Sequence, residues 1–139
     1  MSIYVTMSSD QCLDYFNLNT PYQFKSHLRN PLILNGLCKV ALVEADITTN
    51  YSREDSLYLH SNVCEESIVD GLEKPLLRRL ISTSMGNWIT IFDSPHYHPV
   101  RTNIVYDIEI CITTEKDQLA SFLNNTSRVT LHFKSFTFS

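Results

Sequence analysis

The stretch Leu37-Cys38-Lys39-Val40-Ala41-Leu42-Val43-Glu44-Ala45-Asp46-Ile47 decides the fold class. Read at the two-residue period of a strand, Val40 and Leu42 face one way, and Ala41, Val43, Ala45 and Ile47 face the other. Both faces are apolar at the start, as expected of a strand in the middle of a sheet. Glu44 and Asp46 then restore a polar face. A helix is the competing reading of so apolar a run, and the neighbouring segments decide against it. On the N-terminal side, Tyr22 to Leu28 alternates apolar and polar, Arg29-Asn30-Pro31 reads as a turn, and Leu32-Ile33-Leu34 reads as a strand closed by the tight-turn pair Asn35-Gly36. On the C-terminal side, Leu57, Leu59 and Val63 share one face, opposite Tyr58, His60 and Asn62.

Further out the pattern repeats. Ile3 to Met7 reads as a short strand. Glu65 to Lys74 reads as a connection with a helical turn around Glu66 to Val69. Pro75 to Ile81 reads as a strand that begins with proline, a position suited to an edge. Trp88 to Phe92 is a short apolar strand, and His96 to Val100 is another candidate. Ile104, Tyr106, Ile108, Ile110 and Ile112 line one face of a long strand, with Val105, Asp107, Glu109 and Cys111 on the other. Gln118 to Leu123 reads as one helical turn or an irregular crossover. Val129, Leu131 and Phe133 alternate with Thr130, His132 and Lys134. The result is eight or nine strands about ten residues apart, which predicts an all-β sandwich or barrel in one domain, 1–139.

Composition agrees with that reading. Of 139 residues 43% are hydrophobic and 19% charged, an ordinary globular balance, and seven tyrosines and seven phenylalanines favour strands. Three glycines are too few for a glycine-rich phosphate loop. A net charge of −4 argues against a nucleic-acid surface, which needs a basic face. No apolar run approaches the roughly 20 residues that span a bilayer. The first ten residues lack the basic start and apolar stretch of a signal peptide, so folding and assembly inside the cell are expected. Cys12, Cys38, Cys64 and Cys111 form no C-x-x-C pair, and buried free thiols are expected of them.

The order of the segments carries more. Asp14-Tyr15-Phe16-Asn17, Tyr22-Gln23-Phe24-Lys25, Leu32-Ile33-Leu34-Asn35-Gly36 and Val40-Ala41-Leu42-Val43-Glu44 follow one another. So do Leu57-Tyr58-Leu59-His60-Ser61-Asn62-Val63, Ser67-Ile68-Val69-Asp70-Gly71 and Pro75-Leu76-Leu77-Arg78-Arg79. Pro95-His96-Tyr97, Ile108-Glu109-Ile110 and Val129-Thr130-Leu131-His132-Phe133 complete the series. This succession resembles the minor capsid (penton) proteins of Polinton/Maverick elements and adintoviruses over roughly residues 14 to 134. It departs from them at Leu37, where tryptophan is common, and at His98, where an aliphatic residue is usual. The chain is short, which predicts that loops or an extra domain of some members are missing here. The resemblance implies a single jelly roll of two antiparallel sheets, about four strands each. It also implies a homopentamer at an icosahedral vertex of a virion capsid, assembled in the host cell beside a double-jelly-roll major capsid protein. No enzymatic activity, cofactor, membrane insertion or specific nucleic acid is expected. The alternative is a trimeric jelly-roll head, of the fibre or tumour-necrosis-factor kind, that binds a receptor or glycan. A cupin-like or glycosidase enzyme is a third class.

Several residues are candidates for contact or chemistry. His96 and His98 lie two apart on a strand and point the same way, so zinc or copper would need Asp93 or His60 as a third ligand. Two histidines fall short of a ligand set, and packing at a strand or subunit interface is the expected role. A response to pH is conceivable there, since histidine titrates near neutrality. Arg78 and Arg79 occupy adjacent strand positions and face oppositely. One of them is expected in an intersubunit ion pair with Glu44 or Glu109, against the plainer reading of a solvated edge. Asp107 and Glu109, about 7 Å apart on a strand face, would suit a glycosidase only beside a cleft and an aromatic platform. Glu65-Glu66 is a weaker carboxylate pair. No hydrolase, nucleotide or zinc-protease motif occurs. Asn50-Tyr51-Ser52 and Asn124-Asn125-Thr126 match the glycosylation pattern by chance and mark loops. Phe136 and Phe138, or the N-terminal segment, are expected to form an arm that reaches the major capsid protein.

Overall fold

Alternating apolar residues along short segments leave the chain one way to bury its apolar faces, which is to stack two sheets. The computed structural model describes residues 2–10, 18–50, 55–84 and 86–136. Among these no helix forms. The strands are β1 (Ser2–Ser8), β2 (Gln23–Ile33), β3 (Cys38–Thr48), β4 (Ser56–Ser61), β5 (Ser67–Val69), β6 (Leu72–Lys74), β7 (Leu76–Ile81), β8 (Asn87–Ile91), β9 (His98–Pro99), β10 (Ile104–Thr113) and β11 (Arg128–Ser135).

One sheet runs β1-β11-β3-β8, with β9 added on β3, and the other runs β2-β10-β4-β7. Every pairing is antiparallel. Setting aside the short β5, β6 and β9, eight strands remain. The first pairs with the last, the second with the second-last, the third with the sixth and the fourth with the fifth. That is one long antiparallel hairpin rolled up into two sheets, the topology of a jelly roll. The core lies between the sheets. It joins Val40, Leu42, Ala45 and Ile47 of β3 and Ile108, Ile110 and Ile112 of β10 to Phe24, Leu57, Trp88, Leu131 and Phe133.

Two register shifts explain where simple alternation misleads. Along β3, Thr130 of β11 pairs with Glu44 but Leu131 pairs with Leu42, leaving Val43 unmatched. This bulge resets the side-chain phase, so Val40 and Leu42 before it and Ala45 and Ile47 after it all point into the core, where alternation assigns them to opposite faces. The Val43 carbonyl accepts a hydrogen bond from Phe92 N–H at 2.9 Å. The second shift lies between β2 and β10. Val105 pairs with Leu32 and Asp107 with His27, so Tyr106 faces the four residues 28–31. Arg29-Asn30-Pro31 is therefore an excursion inside one strand, not a turn between two. It accommodates Pro31, which has no N–H for a ladder. The phase of β10 changes with it: Val105 is buried with Ile108, Ile110 and Ile112, while Ile104 and Tyr106 face out.

The expected helical turn at Glu66–Val69 is a strand. β5 and β6 form a hairpin about Asp70-Gly71, whose φ angles of 51° and 80° are those of a type I′ turn. Gln118 to Leu123 is the irregular crossover, held where Ala120 N–H donates to Ile112 O at 3.0 Å. Cys38 and Cys64 are buried free thiols and Cys111 is a half-buried one; Cys12 lies outside the described residues. Burial pushes the Cys64 thiol up to about 11.

Gly36 and Gly86 both have positive φ, at 73° and 79°. A Cβ at Gly36 meets open space, whereas at Gly86 it would lie 2.6 Å from the Thr49 carbonyl oxygen. Gly36→Ala should therefore cost only the backbone strain, about 1 kcal/mol. Gly86→Ala should cost at least about twice that, because the Thr49 backbone, which donates to Gly86 O across the ends of β3 and β8, must shift. Urea unfolding of the two variants measures the difference, and equal losses would contradict this packing.

Candidate functional site

Two stacked sheets leave four edge strands. Here these are β1 and β8 on one sheet, where the short β9 continues the β8 edge along β3, and β2 and β7 on the other. The Arg78 guanidinium of β7 lies 3.9 Å from the centre of the Phe92 ring, just beyond β8, and donates to Ser94 O at 2.9 Å. This clasp places β7 and β8 on one flank of the sandwich, and β1 and β2 therefore form the other. Each flank exposes apolar residues, and the two sets differ. On the β7/β8 flank these are Ile81, Ile89 and Ile91, the last 73% exposed. On the β1/β2 flank they are Tyr4 and Ile33, with Ile104 and Tyr106 of the adjoining β10.

Arg78 and Arg79 face opposite ways. Arg79 donates to Ser56 Oγ at 2.8 Å and lies 3.8 Å from the Glu115 carboxylate. Within the chain neither arginine has Glu44 or Glu109 as its partner. Glu109, on the outer face of the second sheet, lies 4.0 Å from Lys25 Nζ, its neighbour across β2 and β10. Asp107 lies two residues away, 2.6 Å from His27 Nδ1. Each of these carboxylates is thus engaged by its own cross-strand neighbour.

His96 and His98 line a shallow groove with Leu76, Leu77, Arg78 and Arg79. His98 Nε2 donates to Leu77 O at 2.8 Å. Partial burial, then the Arg78 charge and His98, hold the His96 pKa below its ordinary value. A cation beside two imidazoles opposes a metal ion. Neither Asp93 nor His60 joins them, and no group of three His, Cys, Asp or Glu side chains assembles among the described residues.

Alternation alone does not pick out the cluster on the outer face of the first sheet. His132 of β11 is buried there although it points away from the core. Tyr4 stacks on its ring at 4.2 Å and 5°, and Tyr97 meets it edge-on at 5.8 Å. Ser2 Oγ lies 2.6 Å from Nε2 and Tyr97 Oη 2.8 Å from Nδ1, so both ring nitrogens are occupied. Alternation along β1 turns Tyr4 outward, but only the pairing of β1 with β11 sets it opposite His132. Phe136 belongs to the same cluster. Its ring meets Tyr97 at 5.6 Å, the Lys39 ammonium lies over it at 4.8 Å, and its N–H donates to Leu37 O at 2.9 Å. Phe136 is therefore folded back onto the domain and Ser2–Ser8 is held in the sheet, so neither is a free arm. Phe138 and the Asp14–Asn17 motif lie outside the described residues.

Beside this cluster a groove of about 360 Å³ runs to the β8 edge. Tyr4, Phe92, Tyr97 and His132 supply rings, and Glu44 and Asp93 supply carboxylates. No cation pairs with either carboxylate among the described residues. No protein-family model matches the sequence, and no curated protein matches it.

His60, His96 and His132 all have pKa values lowered first by burial. The Lys74 ammonium adds to this for His60, and Lys134 for His132. In addition, His60 Nδ1 is buried without a partner among the described residues. The unfolded chain therefore binds protons at these sites first. Their contribution to stability is complete above about pH 6.5 and is lost as pH falls from there toward the folded-state values. Denaturant unfolding at about pH 7.5 and about pH 5.5 should show the loss. His60→Asn should make it smaller, and an unchanged slope would contradict the neutral buried imidazole.

Proposed function

We propose that this chain is a structural capsid subunit, a minor capsid (penton) protein of the Polinton/adintovirus kind. Five copies close into a ring at an icosahedral vertex, beside a double-jelly-roll major capsid protein, in a particle assembled inside the host cell. The jelly-roll topology and the order of the sequence motifs support this reading. The observation that carries it is the pair of unlike apolar flanks. A two-fold dimer needs a single self-complementary patch, whereas a closed ring needs two different surfaces that fit each other. Ile81, Ile89 and Ile91 on one flank and Ile33 and Tyr106 on the other provide such a pair.

In this reading the protein works by shape. Rigid antiparallel sheets hold each flank at a fixed angle, and burying exposed isoleucines between copies supplies the attraction, about 25 cal/mol per Å² of apolar surface. The chain needs no catalytic group or cofactor for this, and Arg78, Arg79, Glu109 and the His96/His98 pair help shape or border the flanks. A three-fold receptor- or glycan-binding head is the second reading. The Tyr4 ring, 64% exposed beside a groove with two carboxylates, favours it, because sugars stack on such rings.

Light scattering during size exclusion separates the two readings. Five subunits of 16.0 kDa give 5 × 16.0 = 80 kDa and three give 3 × 16.0 = 48 kDa. The expected mass is that of five. Ile89→Lys with Ile91→Lys, both exposed in the free chain and opposite Asp46 and Glu44 across β3, should leave thermal unfolding nearly unchanged and weaken assembly more than about tenfold. A mass of three subunits would contradict the vertex reading.

A further inference from the structure

The geometry points to a specific anchor for the ring: Arg29 of one copy enters the Tyr4–Glu44–Phe92–Asp93–Tyr97 groove of the next. This inference rests on the ring reading above and names the residues that hold it together.

The groove is built for a guanidinium. Arg78 already covers the Phe92 ring and the Lys134 ammonium stands 5.9 Å from the centre of Tyr97, so the open face is that of Tyr4, where a flat cation can stack while the carboxylates in the groove accept its N–H groups. Glu44 is fixed on the outer face of β3 between Thr130 of β11 and Ile91 of β8, so its place at the flank is set by sheet register. Asp93 follows Phe92, whose N–H is tied to Val43 O at the bulge. Both carboxylates are solvent-exposed and meet no cation among the described residues.

The complementary group stands on the opposite flank. Lys25, Lys74, Arg79 and Arg101 each lie beside a carboxylate. Arg78, Lys39 and Lys134 lie over aromatic rings. Arg128 has Asp46 as its cross-strand neighbour, and Lys116 lies in the turn after β10 rather than on a strand. Among the described residues this leaves Arg29 as the edge-strand cation with no acidic neighbour. It is exposed in the excursion of β2, two residues before Pro31 and in the stretch that faces Tyr106, with Ile33 further along the same strand. Pro31 and the broken register prevent β2 from extending a neighbour's sheet, so contact there has to be made by side chains. The apolar Ile33 and Tyr106 of one copy and Ile91 and Phe92 of the next would then exclude water around the charged contact, which is the arrangement of an interface hot spot. The cation lies on β2 of the second sheet and the groove crosses the outer face of the first sheet from Tyr4 to Ile91, so the two are different surfaces and one contact leaves the second copy's own cation free. That is the head-to-tail condition for a ring.

The test is sedimentation of the full chain over a range of concentrations, with three variants. Arg29→Glu should weaken association about tenfold or more, and Glu44→Arg with Asp93→Arg should do the same. All three substitutions in one chain restore opposite charges at every contact and should recover association to within about threefold of the parent. Unfolding midpoints confirm that the variants are folded. If the parent forms rings and Arg29→Glu leaves them unchanged, the anchor is overturned while the ring reading stands. Failure of the triple variant to recover also overturns the anchor. A parent chain that stays monomeric at its highest soluble concentration overturns the ring reading and the anchor with it.

Discussion

Insertion of the last strand, β11, between β1 and β3 is the constraint on which the rest depends. Arg128–Lys134 pair on both sides, with Ser2–Ser8 and with β3, and Ser135 pairs with Cys38. Val129, Leu131 and Phe133 fill the core from it, while Thr130 and His132 shape the outer face. Until it docks, β1 has no neighbour in its sheet and β3 lacks one of its ladders. The other outer pairings, β2 with β10, β3 with β8 and β4 with β7, then nest inside one another. Nearly all of these contacts join residues far apart in sequence, so folding is expected to be slow for the chain length.

The same winding fixes where the chain is left open. A rolled hairpin of eight strands has four edges, and each is treated differently. The β2 edge is broken by the Arg29–Pro31 excursion, and β7 carries Arg78 and Arg79, both held by the chain itself. β1 turns Tyr4 onto His132. β8 keeps Ile89 and Ile91 exposed, with the acidic aromatic groove next to them. Charge and proline blunt edges against sheet extension. An edge left apolar beside carboxylates that meet no cation among the described residues is where the ring interface is proposed.

Much of the fold was legible in the residues, and what was not has a local cause. The central place of β3 follows from its two apolar faces, and the edge position of β7 from Pro75 at its start. Alternation fails at Val43 and at Tyr106, because a bulge shifts the phase without any local marker beyond Pro31 in the partner strand. The β5–β6 hairpin was legible in Asp70-Gly71, a pair that supplies both positive φ angles, but its short flanks resemble a helical turn. The site was less legible. His96 and His98 share a groove as their spacing suggested, but the sequence did not place Arg78 beside them, and Arg78 serves Phe92 and Ser94 within its own chain. The ring contacts of His132 and the groove at Glu44 depend on which strands become neighbours, and that information is non-local.

The central claim is geometric: identical wedges, joined flank to unlike flank, close after five copies. Electron microscopy of the purified assembly tests it most directly. The account predicts class averages with five-fold symmetry in which the β8 edge of each copy meets the β2 edge of the next. Three-fold averages, or rings in which like flanks meet, would contradict it.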